Sequence, residues 1–378
     1  PKGCFNVGLT KELYIFQLLI EHIMDVVRAA DAYIPLYIMT SNINYQDTIT
    51  FFEAHDYFGY DASYVHFFIQ EMNPATDFDG KILLKSKYEV ALSPNGNGGW
   101  FSSMHKAGLL DSIFDSNLEW INVFAVDNVL QRIADPVFLG ATIASGKMSG
   151  AKVVRKAFPE EKVGVMCKEN GKPHIIEYYE MTDEMLTKRL PDGNLAYGFG
   201  AILNYLFPIQ RLKETLDQAM PLHVVKKKVP CIDEAGNPII PDEPNAFKFE
   251  TLALDLIHEM DDCLIFEVDR KKEFAPIKNS TGVDSVDTAR VLLQENGYVL
   301  YTATLIPKYA GVHYYYFSYT SNGVRHYIKR GDACHGVLDQ GEMFQLTVFG
   351  KRYQTPKFLK GGIMYQIFPD RFCSSGKQ

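Results

Sequence analysis

Trp120-Ile121-Asn122-Val123-Phe124-Ala125-Val126-Asp127-Asn128 is the stretch that decides how this sequence is read. A mostly apolar run, long enough for one buried strand, ends in a carboxylate and an amide. A strand ending this way puts its carboxylate at the carboxyl edge of a sheet, where α/β proteins bind ligands. There it can hold Mg²⁺ against phosphate oxygens. The same Asp-Asn pair also suits an Asx turn or a helix cap, and spacing alone leaves both readings open.

The flanking sequence supplies the rest of the sheet. Ile34 to Met39 and Val65 to Ile69 are short apolar runs of the kind that form buried parallel strands. Between them, Tyr45 to His55 has helical spacing, with Gly59 just beyond its end. Upstream, Leu13, Phe16, Leu19, Ile20, Ile23, Met24 and Val27 recur at three- and four-residue steps, and Thr10 is placed to cap that helix. Strand and helix alternating at this spacing predict an α/β fold with a parallel sheet.

Several further residues could carry chemistry. Ser93-Pro94-Asn95-Gly96-Asn97-Gly98-Gly99-Trp100 has glycines that let backbone approach a ligand. The helical-looking Phe101–Leu110 follows, so the loop either faces an anion or polar base, or is simply flexible. Lys2 and Lys278 stand in loop-like contexts as candidate phosphate partners, whereas the run Lys226-Lys227-Lys228 reads as a solvated face. In Glu177-Tyr178-Tyr179-Glu180, a strand would send Glu177 and Tyr178 to opposite faces, or merely expose one of them.

Composition narrows the class. The chain has 378 residues and a net charge of −8, so no basic excess faces nucleic-acid phosphates. Apolar residues make up 47% and charged residues 22%, which suits a globular chain. Leu13 to Ile20, broken by Gln17, is too short to cross a membrane, and no signal peptide is read. The six cysteines contain no C-x-x-C pair, so their spacing indicates neither a disulfide framework nor a zinc site, and a cytoplasmic location fits best. The sequence opens at Pro1 without a methionine and reads as cut at both ends.

The texture changes near Gly297. Eight tyrosines and one phenylalanine lie between Tyr298 and Tyr327, and the strand-like Tyr314–Tyr319 and Phe344–Phe349 are separated by the turn residues Ser321-Asn322-Gly323. Residues 298–360 are expected to form a small antiparallel β-sandwich-like region with the tyrosines mainly in its core, and 361–378 a third piece.

Taken together, the motifs of residues 1–297 resemble the UDP-sugar pyrophosphorylase family, nearest to its UDP-N-acetylhexosamine pyrophosphorylases. The resemblance is carried by Pro1-Lys2-Gly3, Ile38 to Ser41, Phe67 to Gln70, Pro94 to Gly99 and Val126-Asp127-Asn128. It continues in Glu177-Tyr178 with Glu180, in His223 with Lys227 to Pro230, and in Glu273 to Asn279. It implies a Rossmann-like nucleotidyltransferase with a mixed sheet and flanking helices. The implied reaction joins UTP to a sugar 1-phosphate, giving a UDP-sugar and pyrophosphate with Mg²⁺ as cofactor. Lys2 and Lys278 would contact phosphates as the catalytic lysines, Asp127 would hold the metal, and Gln70 and Gly96 would read the uracil. Asn97, Gly164 and Glu177 would hold the sugar.

Two departures follow from the same resemblance. The family's Gly-rich phosphate loop and first strand precede Pro-Lys-Gly and are missing here, so the chain as given is expected to bind UTP poorly. Ala201 stands where acetylhexosamine enzymes carry an asparagine, which puts selection of the N-acetyl sugar in question. Separately, Gly361 to Phe372 resembles the opening of the barrel in α-amylase-family glycoside hydrolases of the neopullulanase type, which makes a carbohydrate-binding or glycosidase-derived protein, or an inactive fusion, the alternative.

Overall fold

A computed structural model of the chain describes residues 1–8, 12–216, 218, 220–295, 307–321, 323–331 and 336–349. The chain divides into two compact units, Pro1–Leu300 and Tyr301–Gln378.

The first unit carries helices α1 (Ile15–Ala30), α2 (Tyr45–Ala54), α3 (Trp100–Lys106), α4 (Leu110–Phe114), α5 (Pro136–Ala144), α6 (Asp255–His258) and α7 (Val286–Glu295). Its principal strands are β1 (Leu36–Thr40), β2 (Val65–Ile69), β3 (Trp120–Phe124), β4 (Ser149–Arg155), β5 (Val165–Glu169), β6 (Lys172–Ile176), β7 (Phe199–Pro208) and β8 (Cys263–Glu267). Helix α1 is amphipathic, as its spacing predicts, and buries Leu18, Leu19, Ile20, Ile23 and Val27. It starts later than expected, at Ile15 after Tyr14, because Leu13 gives its carbonyl to the Val7 N–H in an extended contact instead. The expected cap, Thr10, lies outside the described residues. Asp31 ends the helix with φ 52°, a conformation asparagine and aspartate tolerate well.

The strands are mixed in direction, as the family resemblance implies, whereas the strand–helix spacing by itself points to a parallel sheet. β1 and β2 pair in parallel, Leu36 to Val65 through Thr40 to Ile69, and β8 runs parallel to β4. The other pairings of the main sheet are antiparallel, in the order β6-β5-β7-β4-β8, with β3 also on β7. The reason lies in β7. It is long enough to take the β5–β6 hairpin near its start and β3 near its end. Between these halves the register with β4 shifts from Ala201 to Tyr205, and Leu203 holds φ 46°. Such a bulge bends a strand and re-aims its side chains. The bend is held by a pair of amides, the half-buried Asn122 and the buried Asn204: Asn122 donates to the Asn204 side chain and to the Tyr205 carbonyl, each at 2.9 Å.

Two cores flank this arrangement. One gathers Phe68, Trp100, Met104, Tyr205, Phe207, Leu256 and Ile257, and the other packs α1 and α2 against Val129, Ile133 and Ala289. Between β1 and β3 lies a largely apolar cavity of about 500 Å³. Among the described residues β1 pairs only with β2, and β3 only with β7, and both strands line this cavity.

The second unit is antiparallel. Gly311–Tyr315 pairs with Phe344–Val348, and Phe317–Ser321, Val324–Arg330 and Gly336–Leu338 form a three-stranded ladder. The expectation that its tyrosines form a core is overturned for Tyr309, Tyr314, Tyr316 and Tyr319, which are exposed. Ladders of two or three strands cannot cover both their faces. The stretch Gly361 to Phe372 lies outside the described residues. Among the described residues, no helix is long and apolar enough to cross a membrane.

Candidate active site

Asp127 sits just past the end of β3, as the sequence suggests, although that strand is antiparallel to its neighbour. Its backbone carbonyl accepts from the Ile277 N–H at 2.9 Å, which brings Lys278 alongside. Its carboxylate lies 3.3 Å from the Lys2 ammonium. Lys2 belongs to a single helical turn, Lys2–Cys4, whose Gly3 lies flat on the Phe16 ring, where a Cβ would overlap the ring. Lys2 and Lys278 line one shallow pocket. Burial pushes the nearby Asp284 carboxyl up against the pull of Lys278, with Asp127 adding to the push. The two lysines and Asp127 therefore share one electrostatic neighbourhood.

What fixes this group in place is a buried clamp that the motifs did not single out. Asn128 accepts from the Ala275 N–H at 2.9 Å and donates to the Glu273 carbonyl at 2.8 Å. That splices the segment carrying Lys278 to the end of β3. Below it, Lys152 in β4 is wholly buried, with its ammonium 2.8 Å from Asp135 and 2.6 Å from Glu273. Asp135 also caps α5 by accepting from the Val137 N–H, with Pro136 in the first turn. Burial pushes its carboxyl up, but the hydrogen bond and charge of Lys152 outweigh that and hold it below the usual range.

Gln70 and Gly96 form a second group. The short ladder Met72–Pro74 with Leu92–Pro94 sets Met72 opposite Pro94, and the Asn95 N–H continues it to the Glu71 carbonyl. Gln70 and Gly96 are next in line. Gly96 has φ 88°, and a Cβ there would overlap the Thr251 carbonyl, so only glycine fits both the turn and the approach. The glycine loop is not free: Gly98 N–H donates to Thr251 and Thr251 N–H to Asn95, at 2.8 and 2.7 Å. Asn97 uses its side-chain oxygen to accept from the Ala253 N–H at 2.8 Å. Only its amide nitrogen is left to donate to a ligand. The helix expected at Phe101–Leu110 is instead two, α3 and α4, broken at Gly108 with φ 69°.

Gly164 and Glu177 form the third group, at the open end of the β5–β6 hairpin. The strand expected at Glu177-Tyr178 stops at Ile176. Glu177 to Glu180 is a turn, because the Glu180 carboxylate accepts from the Glu177 N–H at 3.0 Å and its own N–H donates back to the Glu177 carbonyl at 2.9 Å. A Cβ on Gly164 would stand 3.6 Å from the Glu177 carboxylate. Burial first, and Glu180 second, push the Glu177 carboxyl up, against His223 and Lys278. His223 contacts both oxygens of the buried Asp255 at 3.1 Å and faces Glu180 at 3.6 Å. The Lys226–Lys228 run beside it is exposed, the solvated face expected.

The groups are linked. Lys278 acts on Glu177, and Asp255 accepts from the Leu252 N–H beside the glycine loop at 3.1 Å. Lys2, Asn97 and Asp127 line the cavity between β1 and β3, whereas Gln70, Gly96, Gly164 and Glu177 do not. Positive side chains and one accessible carboxylate at the end of a strand, facing a polar backbone loop, make a site suited to a polyanion with a polar ring at one end. Ala201 gives its N–H to the Gly164 carbonyl at 2.8 Å and presents only a methyl group.

A sequence model of the family described as UTP–glucose-1-phosphate uridylyltransferase matches residues 1–315. UDP-N-acetylhexosamine pyrophosphorylase-like protein 1 of Mus musculus is 39% identical over 293 residues, covering 75% of this chain and 58% of that protein. UDP-N-acetylglucosamine pyrophosphorylase of Saccharomyces cerevisiae is 37% identical over 305 residues, covering 77% of this chain and 64% of its own length. The chain thus spans less than two thirds of these curated relatives. Among solved structures, a putative UDP-N-acetylglucosamine pyrophosphorylase from Entamoeba histolytica aligns with TM-score 0.72 at 32% identity, covering 78% of this chain and 76% of that one. The corresponding Trypanosoma brucei enzyme aligns with TM-score 0.68 at 27% identity over 78% of this chain and 61% of that one. On the extent of the first match and the identity of these relatives, the chain belongs to the UTP–glucose-1-phosphate uridylyltransferase family.

Proposed function

We propose that residues 1–300 form the nucleotide and sugar site of a uridylyltransferase that joins UTP to a sugar 1-phosphate. A phosphate oxygen of the sugar 1-phosphate attacks the α-phosphorus of UTP. The new P–O bond forms as the bond to the β-phosphate breaks, and pyrophosphate leaves. Both reactants are anions, so the protein's task is to hold like charges together and to offset the charge that moves onto the leaving group. Lys2 and Lys278 fit that task, since Lys2 pairs with the Asp127 carboxylate and the Asp127 carbonyl holds the segment that carries Lys278.

Mg²⁺ fits the same place. It commonly binds through one or two carboxylates plus substrate phosphates, and Asp127 offers one accessible carboxylate at the strand end. Bound there, it would neutralise phosphate charge. Gln70 and the backbone at Gly96 supply donors and acceptors for the uracil edge. Gly164 and Glu177 supply a close backbone and an acceptor for sugar hydroxyls, and Asn97 supplies a donor. The acceptor is a hexose 1-phosphate of the N-acetylglucosamine or glucose type. The names of the relatives favour the first, and the methyl group of Ala201 predicts weak discrimination between the two.

The observation that supports this reading best is the convergence of Lys2 and the Lys278 segment on Asp127, with Asn97 of the glycine loop lining the same cavity as Lys2 and Asp127. The experiment is a competition. The full chain is titrated with UTP and Mg²⁺, then with UDP-N-acetylglucosamine, and separately with maltodextrin. UTP displaced one-for-one by the UDP-sugar is the expected result. Binding of maltodextrin without UTP would favour the glycosidase-derived alternative and overturn the proposal.

A further inference from the structure

Away from this site, at the turn end of the β5–β6 hairpin, three metal-ligating side chains converge. Glu169 ends β5, His174 lies in β6, and His258 ends α6. One ligand atom from each lies within 4.8 Å of the others. The register explains the first two: Cys167 pairs with His174 and Glu169 with Lys172, so Glu169 and His174 project from the same face of the hairpin. The hairpin is tight because Asn170 and Gly171 hold φ 50° and 85°, the Asn-Gly turn that two-residue loops favour. His258 arrives from the facing helix, its ring edge-to-face with that of His174 at 5.1 Å and 82°.

Two features set this cluster apart from a chance surface grouping. First, the Nδ1 of His258 is enclosed and has no hydrogen-bond partner. Buried polar atoms are nearly always satisfied, and an orphan calls for a partner that the protein alone does not provide. Second, the one charge pairing available is poorly made. His174 Nδ1 and Glu169 stand 4.0 Å apart, too far for a hydrogen bond. Two imidazoles and one carboxylate are a ligand set that zinc takes, with water as the fourth ligand.

We propose that Glu169, His174 and His258 bind one Zn²⁺, which ties the β5–β6 hairpin to α6. Zinc–ligand bonds of about 2.0–2.2 Å require the three ligand atoms to close to about 3.3 Å of each other, so binding would draw the three side chains inwards. The consequence reaches the candidate active site without touching it. The far end of the hairpin carries Gly164 and Glu177, and the first residue of α6 is Asp255, which holds His223. The ion would set the spacing between those two elements. The inference stands on this cluster alone and goes beyond the uridylyltransferase reading.

The test uses the full chain, stripped with a chelator and titrated with ZnCl₂ in competition with a chromogenic chelator. One Zn²⁺ per chain is expected, with a rise in the melting temperature on loading. His258→Gln and His174→Gln should each weaken binding by about a hundredfold or more, and remove the rise. Glu169→Gln alters an exposed side chain, so folding is not at stake, and it should weaken binding measurably. Loading with Co²⁺ should give the intense visible bands of a four-coordinate ion in the parent chain and not in the histidine variants. No stoichiometric zinc binding by the parent chain overturns the proposal. So does binding that survives unchanged in Glu169→Gln and in whichever histidine variant keeps the parent tryptophan fluorescence.

Discussion

Lys152→Met removes a wholly buried ammonium and leaves its two carboxylate partners enclosed. The methionine fills most of the space of the lysine stem, so the change isolates the charge. Taking one partner from a buried ion pair typically costs about 3–5 kcal/mol, because the remaining charge is neither solvated nor matched. With a denaturant dependence of about 3 kcal/mol/M, that moves the urea midpoint down by roughly 1–1.7 M. Intrinsic tryptophan fluorescence is the right probe, since the chain has two tryptophans, Trp100 and Trp120, and both lie in the first unit. The pH dependence gives a second check. In the parent chain Asp135 is held below the usual range, so its contribution is present above the unfolded value and is lost as pH falls through the folded one. In the variant, Asp135 keeps the burial, which favours its neutral form, opposed only by the Val137 N–H and the charge of Arg132. The deficit should therefore shrink as the pH is lowered from 7 towards 5. A loss below about 1 kcal/mol, or a deficit that does not change with pH, would refute the claim that this cluster holds the Asn128 clamp.

Further outcomes follow from the same geometry. Gly96→Ala combines a positive φ with overlap on the Thr251 carbonyl, and should cost about 1–3 kcal/mol in urea unfolding while weakening UTP binding. Glu177→Gln should raise stability at pH 7, because burial pushes the Glu177 carboxyl up and its ionised form is penalised. For a raised carboxyl, stability falls as pH climbs from about 4.3, so the gain should vanish when melting is followed below pH 4. Ala201→Asn adds a side-chain donor beside Gly164, and in competition binding should shift preference towards N-acetylglucosamine 1-phosphate over glucose 1-phosphate.

Local patterns made part of the fold legible and long-range ones hid the rest. Val65–Ile69 is a strand with the bounds its apolar run suggests, and α2 spans nearly all of Tyr45 to His55. The direction of β3 was not legible, because its partner Phe199–Pro208 lies some eighty residues on and is bent by a bulge that no local signal marks. Glu177 reads as a strand residue because its turn is closed by Glu180, through one side-chain and one backbone hydrogen bond that no local pattern marks. Lys152 reads in sequence as one charge in an apolar run, and its partners stand 17 and 121 residues away. The individual site residues were weak signals, and only their order along the chain, matched to a family, gave them roles. Asn97 illustrates the limit: its side-chain oxygen is spent on the protein's own loop.

The central claim is that one rim gathers a uracil reader and a metal-holding carboxylate around a single uridine nucleotide. Saturation-transfer NMR on the full chain detects even weak binding and reads the uracil and ribose protons of the ligand directly, with the phosphate end read through the effect of Mg²⁺. With UTP and Mg²⁺, strong transfer to the uracil protons is predicted. It should fall for CTP and in Gln70→Ala, while Asp127→Asn should remove the gain that Mg²⁺ gives. Equal transfer to UTP and CTP, or signals that neither substitution changes, would contradict the account.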